Sequence, residues 1–241
     1  MTSNAIKLIA CISMLIDHAG VILFPQVQVL RWIGRLAMPL FAFSVAEGAL
    51  HTSNRKRYFL RMFLLGVGCQ LVYAAEQILD GGLRSVYLNI LFTFSFSMLL
   101  CFAYLELEKA LQSGKTKEML KGALLFGGAV AAALLFEIFC MVSKRLIGVS
   151  VWIDYGASGI LLPLFALSRK RHPQRILVYA IGLVLFCLYR CENMPYIWVA
   201  LLDIPILYFY NGERGKRSAK YGFYLFYPLH LAVLYGISML L

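Results

Sequence analysis

Charge is what this chain has least of. Only 15% of its 241 residues are Asp, Glu, Lys or Arg, against 61% hydrophobic. A soluble domain carries about 25% charged residues, so a water-facing globule is excluded. Long polar stretches are missing too, and with them any linker, low-complexity segment or separate soluble domain. Apolar runs of about 20 residues recur instead, each long enough at about 1.5 Å per residue to cross a hydrocarbon core of roughly 30 Å. The chain has no glycine-rich phosphate loop, no HExxH zinc pattern and no serine nucleophile elbow. Its six cysteines are scattered through apolar segments, and Cys187 and Cys191 have no ligand partners nearby in sequence. They read as small packing residues, and no metal site is expected. The first apolar run lacks a small-residue cleavage site and reads as a span, not a removable signal.

What remains is an all-α polytopic transmembrane bundle, a single membrane domain over residues 1–241. About nine spans, within a range of eight to ten, are predicted: 5–24, 32–50, 58–79, 86–104, 122–142, 153–167, 176–189, 196–210 and 221–241. The second contains Pro39 and is expected to kink, and the sixth to eighth are short. Acidic residues number 12 against 23 Lys and Arg, a net charge of +11. In a soluble protein that excess would suggest nucleic acid. Here the basic residues occupy short loops between apolar runs, which argues against a nucleic-acid partner and for topology signalling. Alternate loops put Arg55, Lys56, Arg57, Arg61, Lys109, Lys115, Lys117, Lys121, Arg169, Lys170, Arg171, Arg175, Arg214, Lys216, Arg217 and Lys220 on one side, with Lys7. The other side receives Arg31, Arg35, Arg84, Lys144, Arg145 and Arg190. The N-terminus is therefore expected inside, the C-terminus outside, and the span count odd.

Ionisable groups inside lipid are costly and usually face a cavity. In the first span Asp17 and His18 lie roughly 20 Å from the inner surface. Lys7 precedes His18 by eleven residues, within about 20° of three full turns, so the two share a helix face about 16 Å apart. Such a stripe suits a long anionic donor, its phosphates at Lys7 and its reactive end at His18. It equally suits a snorkelling lysine and a histidine bonded to a neighbouring helix. Asp17 points about 100° away from His18, and Arg31 and Arg35, i and i+4 at the outer start of the second span, are its expected partners. Glu47 and His51 form another i,i+4 pair near the inner surface, followed by the basic string HTSNRKRYFLR. Arg55, Arg57 and Arg61 in that string fit nucleotide phosphates, or topology. In the last span His230 sits at mid-membrane beside Pro228, at a depth comparable with His18. Gln70, Asn89, Thr93, Glu137, Asp154 and Asp203 either line the same cavity or bond neighbouring helices.

The strings AIKLIACISMLIDHAG and RWIGRLAMPLFAFSVAEGALHTSNRKRYFLR closely resemble the TraX family. So do LNILFTF, DYGASGILL, LYFYNGERGKR and KYGFYLFYPLHL, over nearly the whole chain. The family's named activity is N-terminal acetylation of a pilin subunit. The family also resembles larger membrane acyltransferases with an Arg-x10-His motif in the first helix. Lys7 to His18 keeps that spacing with Lys in place of Arg, which retains the charge without the bidentate fork. The resemblance implies acetyl-coenzyme A as donor, a bacterial cytoplasmic membrane location, and an extracytoplasmic protein or glycan acceptor. His18 is then the expected base, with Asp17, Arg35 and His230 around it. Lys7, Glu47, His51, Arg55, Arg57 and Arg61 are the expected donor contacts. A transporter or a non-catalytic assembly factor is the alternative.

Overall fold

The computed structural model describes residues 1–79, 85–167, 172–192, 195–213, 215 and 220–240. Arg84, Arg169, Lys170, Arg171, Arg214, Lys216 and Arg217 of the topology argument lie outside the described residues. The chain is built from α1 (Ser3–Ile22), α2 (Gln28–Gly34), α3 (Ala37–His51), α4 (Arg55–Leu79), β1 (Ser85–Leu88), α5 (Ile90–Ser113) and α6 (Thr116–Ile147). These are followed by β2 (Ser150–Ile153), α7 (Gly156–Leu161), a 3-10 turn at Leu162–Ala166, α8 (His172–Arg190), a 3-10 segment at Pro195–Leu202, α9 (Asp203–Tyr208) and α10 (Lys220–Ser238). Among the described residues six helical segments are long and apolar enough to cross a bilayer, and three shorter apolar ones match the sixth, eighth and ninth expected spans. This is an all-α multi-pass membrane protein.

Local chemistry sets the boundaries. Thr2 caps α1 by accepting from the Ala5 amide, Asn54 caps α4 through the Arg57 amide, and Asn89 caps α5 through the Leu91 amide, each satisfying an otherwise unpaired N–H. The expected kink in the second span falls between α2 and α3, at Arg35 and Leu36. Pro39 explains the position. It has no N–H to donate to the carbonyl four residues earlier, which is that of Arg35, and the amides of Arg35 and Leu36 turn back to the carbonyls of Trp32 and Ile33 in 3-10 fashion.

Two features depart from a purely helical reading. Val86 to Leu88, expected as the start of a span, instead belong to β1, which pairs in parallel with β2 from Ser85↔Ser150 to Leu88↔Ile153. The sixth segment is one strand, a short helix and a 3-10 turn. Tyr155 (φ 59°) and Gly156 (φ 55°) are both left-handed there, which ends the strand and redirects the chain into α7.

Packing groups the chain into two compact units, residues 1–44 with 168–241, and residues 45–167. In the first, α1 packs on α2 and α10. Lys7 meets Phe223 and His18 meets His230, so α1 and α10 run parallel. The segment at residues 209–213 lies at the start of α1, where the Ser3 amide donates to the Glu213 carbonyl and the Asn211 amide to that of Met1. That is the end of α1 at which Lys7 stands. In the second unit α5 is central, packed by α4, α6, α7 and β2, with Phe92, Leu100, Ile153 and Ile160 at its core.

Candidate active site

The first unit gathers ionisable side chains at the far end of α1. His18 Nδ1 lies 2.7 Å from His230 Nε2 on α10, with the rings stacked at 4.9 Å. His230 Nδ1 lies 2.8 Å from the Phe226 carbonyl one turn earlier, and the Phe226 ring stacks on the imidazole at 4.7 Å and 7°. A carbonyl only accepts, so His230 Nδ1 carries its proton and its Nε2 is the acceptor. The proton between the rings therefore belongs to His18 Nδ1. His18 Nε2 is left with a lone pair and no proton. His230 is buried, 5% exposed, while His18 is half-buried.

Asp17, the residue before His18, is forked by two guanidinia. Arg31 Nη1 donates to Oδ2 at 2.7 Å and Arg35 Nη2 to Oδ1 at 2.7 Å, while Arg35 Nε reaches the Arg31 carbonyl at 3.1 Å. The i,i+4 spacing read from the sequence puts both arginines on the carboxylate. Gly34 makes the close approach possible, since a Cβ there would stand 2.0 Å from Asp17 Oδ1. Asp17, Arg31 and Arg35 all lie within electrostatic reach of the His18 ring. The sequence places Arg35 beside the base and gives Arg31 only an ion-pair role. In the structure Arg35 is the buried one, 5% exposed, and Arg31 is the accessible one. Exposure at a kink cannot be read from spacing.

Lys7 stands on the same face of α1 as His18, as predicted, with its ammonium 5.8 Å from the Phe223 ring centroid. The other expected donor contacts belong to the second unit. There Glu47 is buried and His51 is exposed, its Nδ1 2.9 Å from the Glu47 carbonyl oxygen. Arg55 is ion-paired with Glu106 and lies over the Phe102 ring, a partnership the sequence did not signal because Glu106 follows the predicted end of a span. Arg57 is exposed and Arg61 half-buried. Of the polar residues with two open readings, most serve the fold. Asn89 Nδ2 donates to the Gly66 carbonyl, Thr93 Oγ1 to the Asp154 carbonyl, and Glu137 accepts from the Ala157 amide. Asp203, in the first unit, is fully buried, and among the described residues neither carboxyl oxygen has a hydrogen-bond partner.

These features define a multi-pass helical membrane protein with a histidine pair and a two-arginine carboxylate clamp at one end of its first helix. The chain belongs to the TraX family, whose model, described as TraX protein, matches residues 2–238. It is 28% identical to the probable fimbrial assembly protein FimC, serogroup H1, of Dichelobacter nodosus, over 98% of this chain and 95% of that protein. A shorter match, 50% identical over 40 residues, links 17% of the chain to 16% of an uncharacterized protein of Rickettsia prowazekii (strain Madrid E). No solved structure matches it.

Proposed function

We propose that this TraX-family chain is an integral-membrane acetyltransferase, moving an acetyl group from cytoplasmic acetyl-coenzyme A to an extracytoplasmic acceptor. One observation carries the reading: the chain of hydrogen bonds from His18 through His230 to the Phe226 carbonyl, which leaves His18 Nε2 unprotonated. A base must hold its lone pair toward the proton it removes, and the buried ring behind it fixes both tautomer and orientation.

In the reaction the acceptor amine or hydroxyl attacks the thioester carbonyl as its proton passes to His18 Nε2. The new C–N or C–O bond forms, the C–S bond breaks, and the coenzyme thiolate leaves, taking the proton back from His18. Both nitrogens of His230 are engaged, so it acts as a positioning residue. Arg35 is equally committed, to Asp17 and to the Arg31 carbonyl. Lys7, about 16 Å along the same face, is assigned to the donor's phosphates. The name of the Dichelobacter relative makes a pilin-type N-terminal amine the first acceptor to try, and a surface-glycan hydroxyl or amine the second. It also favours the rival reading, a fimbrial assembly factor without catalysis.

Acetyl transfer by the purified chain in lipid nanodiscs, read by mass spectrometry of acceptors, separates the two. General-base catalysis contributes about 10²–10⁴-fold, so His18→Ala is expected to lose at least about 100-fold while remaining folded. Undiminished transfer in that variant ends the proposal. Absence of transfer by the wild-type chain to any acceptor taken from cells that carry it leaves the assembly role.

A further inference from the structure

The clamp beside His18 is charge-unbalanced: two guanidinia share one carboxylate. We propose that the acceptor is anionic close to its nucleophile, and that Arg31 receives that carboxylate or phosphate. The inference rests on the transferase reading and names the substrate class for it.

The surplus cation is Arg31. Arg35 is buried and spends Nη2 on Asp17 and Nε on a backbone carbonyl. Arg31 uses Nη1 alone, for Asp17 Oδ2 and the Asp17 carbonyl. Its Nε and Nη2, the edge of the fork that takes an oxyanion through two parallel bonds, make no hydrogen bond among the described residues, and the side chain is 37% exposed. The clamp holds the opposite edge still, because Gly34 presses α2 onto the Asp17 carboxylate.

No other acid of this unit supplies the missing charge. Its remaining acidic residues are Glu192, Asp203 and Glu213. Glu192 makes no ion pair among the described residues. Asp203 is buried without a hydrogen-bond partner, and Glu213 sits at the opposite end of α1, bonded to Asn211. The deficit matters to the chemistry. When His18 takes a proton it becomes a third cation beside Arg31 and Arg35, in surroundings of low dielectric where like charges repel strongly. An anion brought in by the acceptor offsets that charge as it develops, so it helps most in the transition state.

The test uses the full chain in nanodiscs with acetyl-coenzyme A and matched acceptors that differ only in charge. Asp-Gly-amide against Asn-Gly-amide covers amines, and glucuronic acid against glucose covers hydroxyls. A charge-assisted bidentate contact predicts about a tenfold or greater advantage in kcat/KM for the acidic member. Arg31→Gln should reduce that advantage below about twofold, and Arg31→Lys, which keeps the charge and the clamp's ion pair, should retain part of it. Equal transfer to both members overturns the proposal, as does a preference that survives Arg31→Gln. A loss in Arg31→Gln that is equal for charged and neutral acceptors also overturns it, assigning Arg31 to the reaction's own oxyanion. A binding arm keeps the outcome independent of turnover. With Trp152 and Trp198 changed to Phe, Trp32, adjacent to Arg31, reports occupancy by its fluorescence. Saturable quenching by glucuronate but not glucose, abolished in Arg31→Gln, supports the anion site even where no transfer occurs and the transferase reading fails. No such quenching, in a chain that also shows no charge preference, sinks it.

Discussion

The two compact units differ in how they partner many of their polar groups. In the unit formed by residues 45–167, buried hydroxyls and amides go to backbone. Ser95 and Ser97 donate to carbonyls four residues back, Ser97 also reaches the Ile160 carbonyl, and Thr93 reaches that of Asp154. In the unit formed by residues 1–44 and 168–241, side chains from different helices bond one another: His18 to His230, Asp17 to Arg31 and Arg35. A backbone partner consumes a side chain's hydrogen-bonding capacity in holding the fold. Side-chain partners leave capacity over, at His18 Nε2 and at the outer edge of Arg31, and only leftover capacity can meet a substrate. On the transferase reading, the base and the anion-binding arginine both lie in the unit formed by residues 1–44 and 168–241.

The largest effect that would break this contrast is in the clamp. Removing one partner of a buried ion pair costs about 3–5 kcal/mol, because the charge left behind is uncompensated. Asp17→Ala removes the carboxylate paired with buried Arg35, and should lower the unfolding free energy by up to about that amount. It should also cut acetyl transfer, since both guanidinia lose their anchor. Thermal unfolding in nanodiscs alongside transfer assays measures both. A stable Asp17→Ala chain with full transfer would mean that the clamp is neither structural nor chemical.

Next in size is Gly156→Ala in the other unit. A Cβ there meets the Glu137 carboxylate at 2.6 Å, and the residue's φ of 55° is left-handed. Strain at such a position costs about 1–3 kcal/mol. The expected result is a lower unfolding midpoint with transfer per folded molecule unchanged. A variant that stays stable but loses transfer would move part of the chemistry into residues 45–167.

The nine apolar segments and the Asp17 partnership were legible because their signals are local. Run length gives the spans, and i,i+4 spacing at matching depth gives Arg31 and Arg35. Even the kink was legible, since a missing proline N–H acts on the carbonyl four residues earlier. The strands were not. Four residues of SVYL or SVWI are too short to show a period of two, and in the first case they merge with the apolar run of α5. The His18–His230 bond closes 212 residues of chain, and depth alone hinted at it. Tautomer, and with it the identity of the basic nitrogen, depends on the Phe226 carbonyl, which no side-chain pattern reveals. The ends of α6 extended past the predicted 122–142 because Lys117, Glu118, Lys144 and Arg145 continue a helix once it leaves lipid.

The smallest expected effect sharpens the contrast most, because it tests a polar group that looks as well placed as the histidines. Thr93 is fully buried and was a candidate cavity residue. Its hydroxyl donates to the Asp154 carbonyl at 2.7 Å, joining the start of α5 to the turn after β2. Hydrogen bonds between membrane helices average about 0.6 kcal/mol. Thr93→Val keeps the shape and removes the donor, so stability should fall by about that amount, and kcat and KM should stay at wild-type values. If the fold absorbs the change but kcat drops severalfold, then bonding to backbone does not mark a side chain as structural. The division between the two units would then have to be drawn by measured activity, not by hydrogen-bond partner.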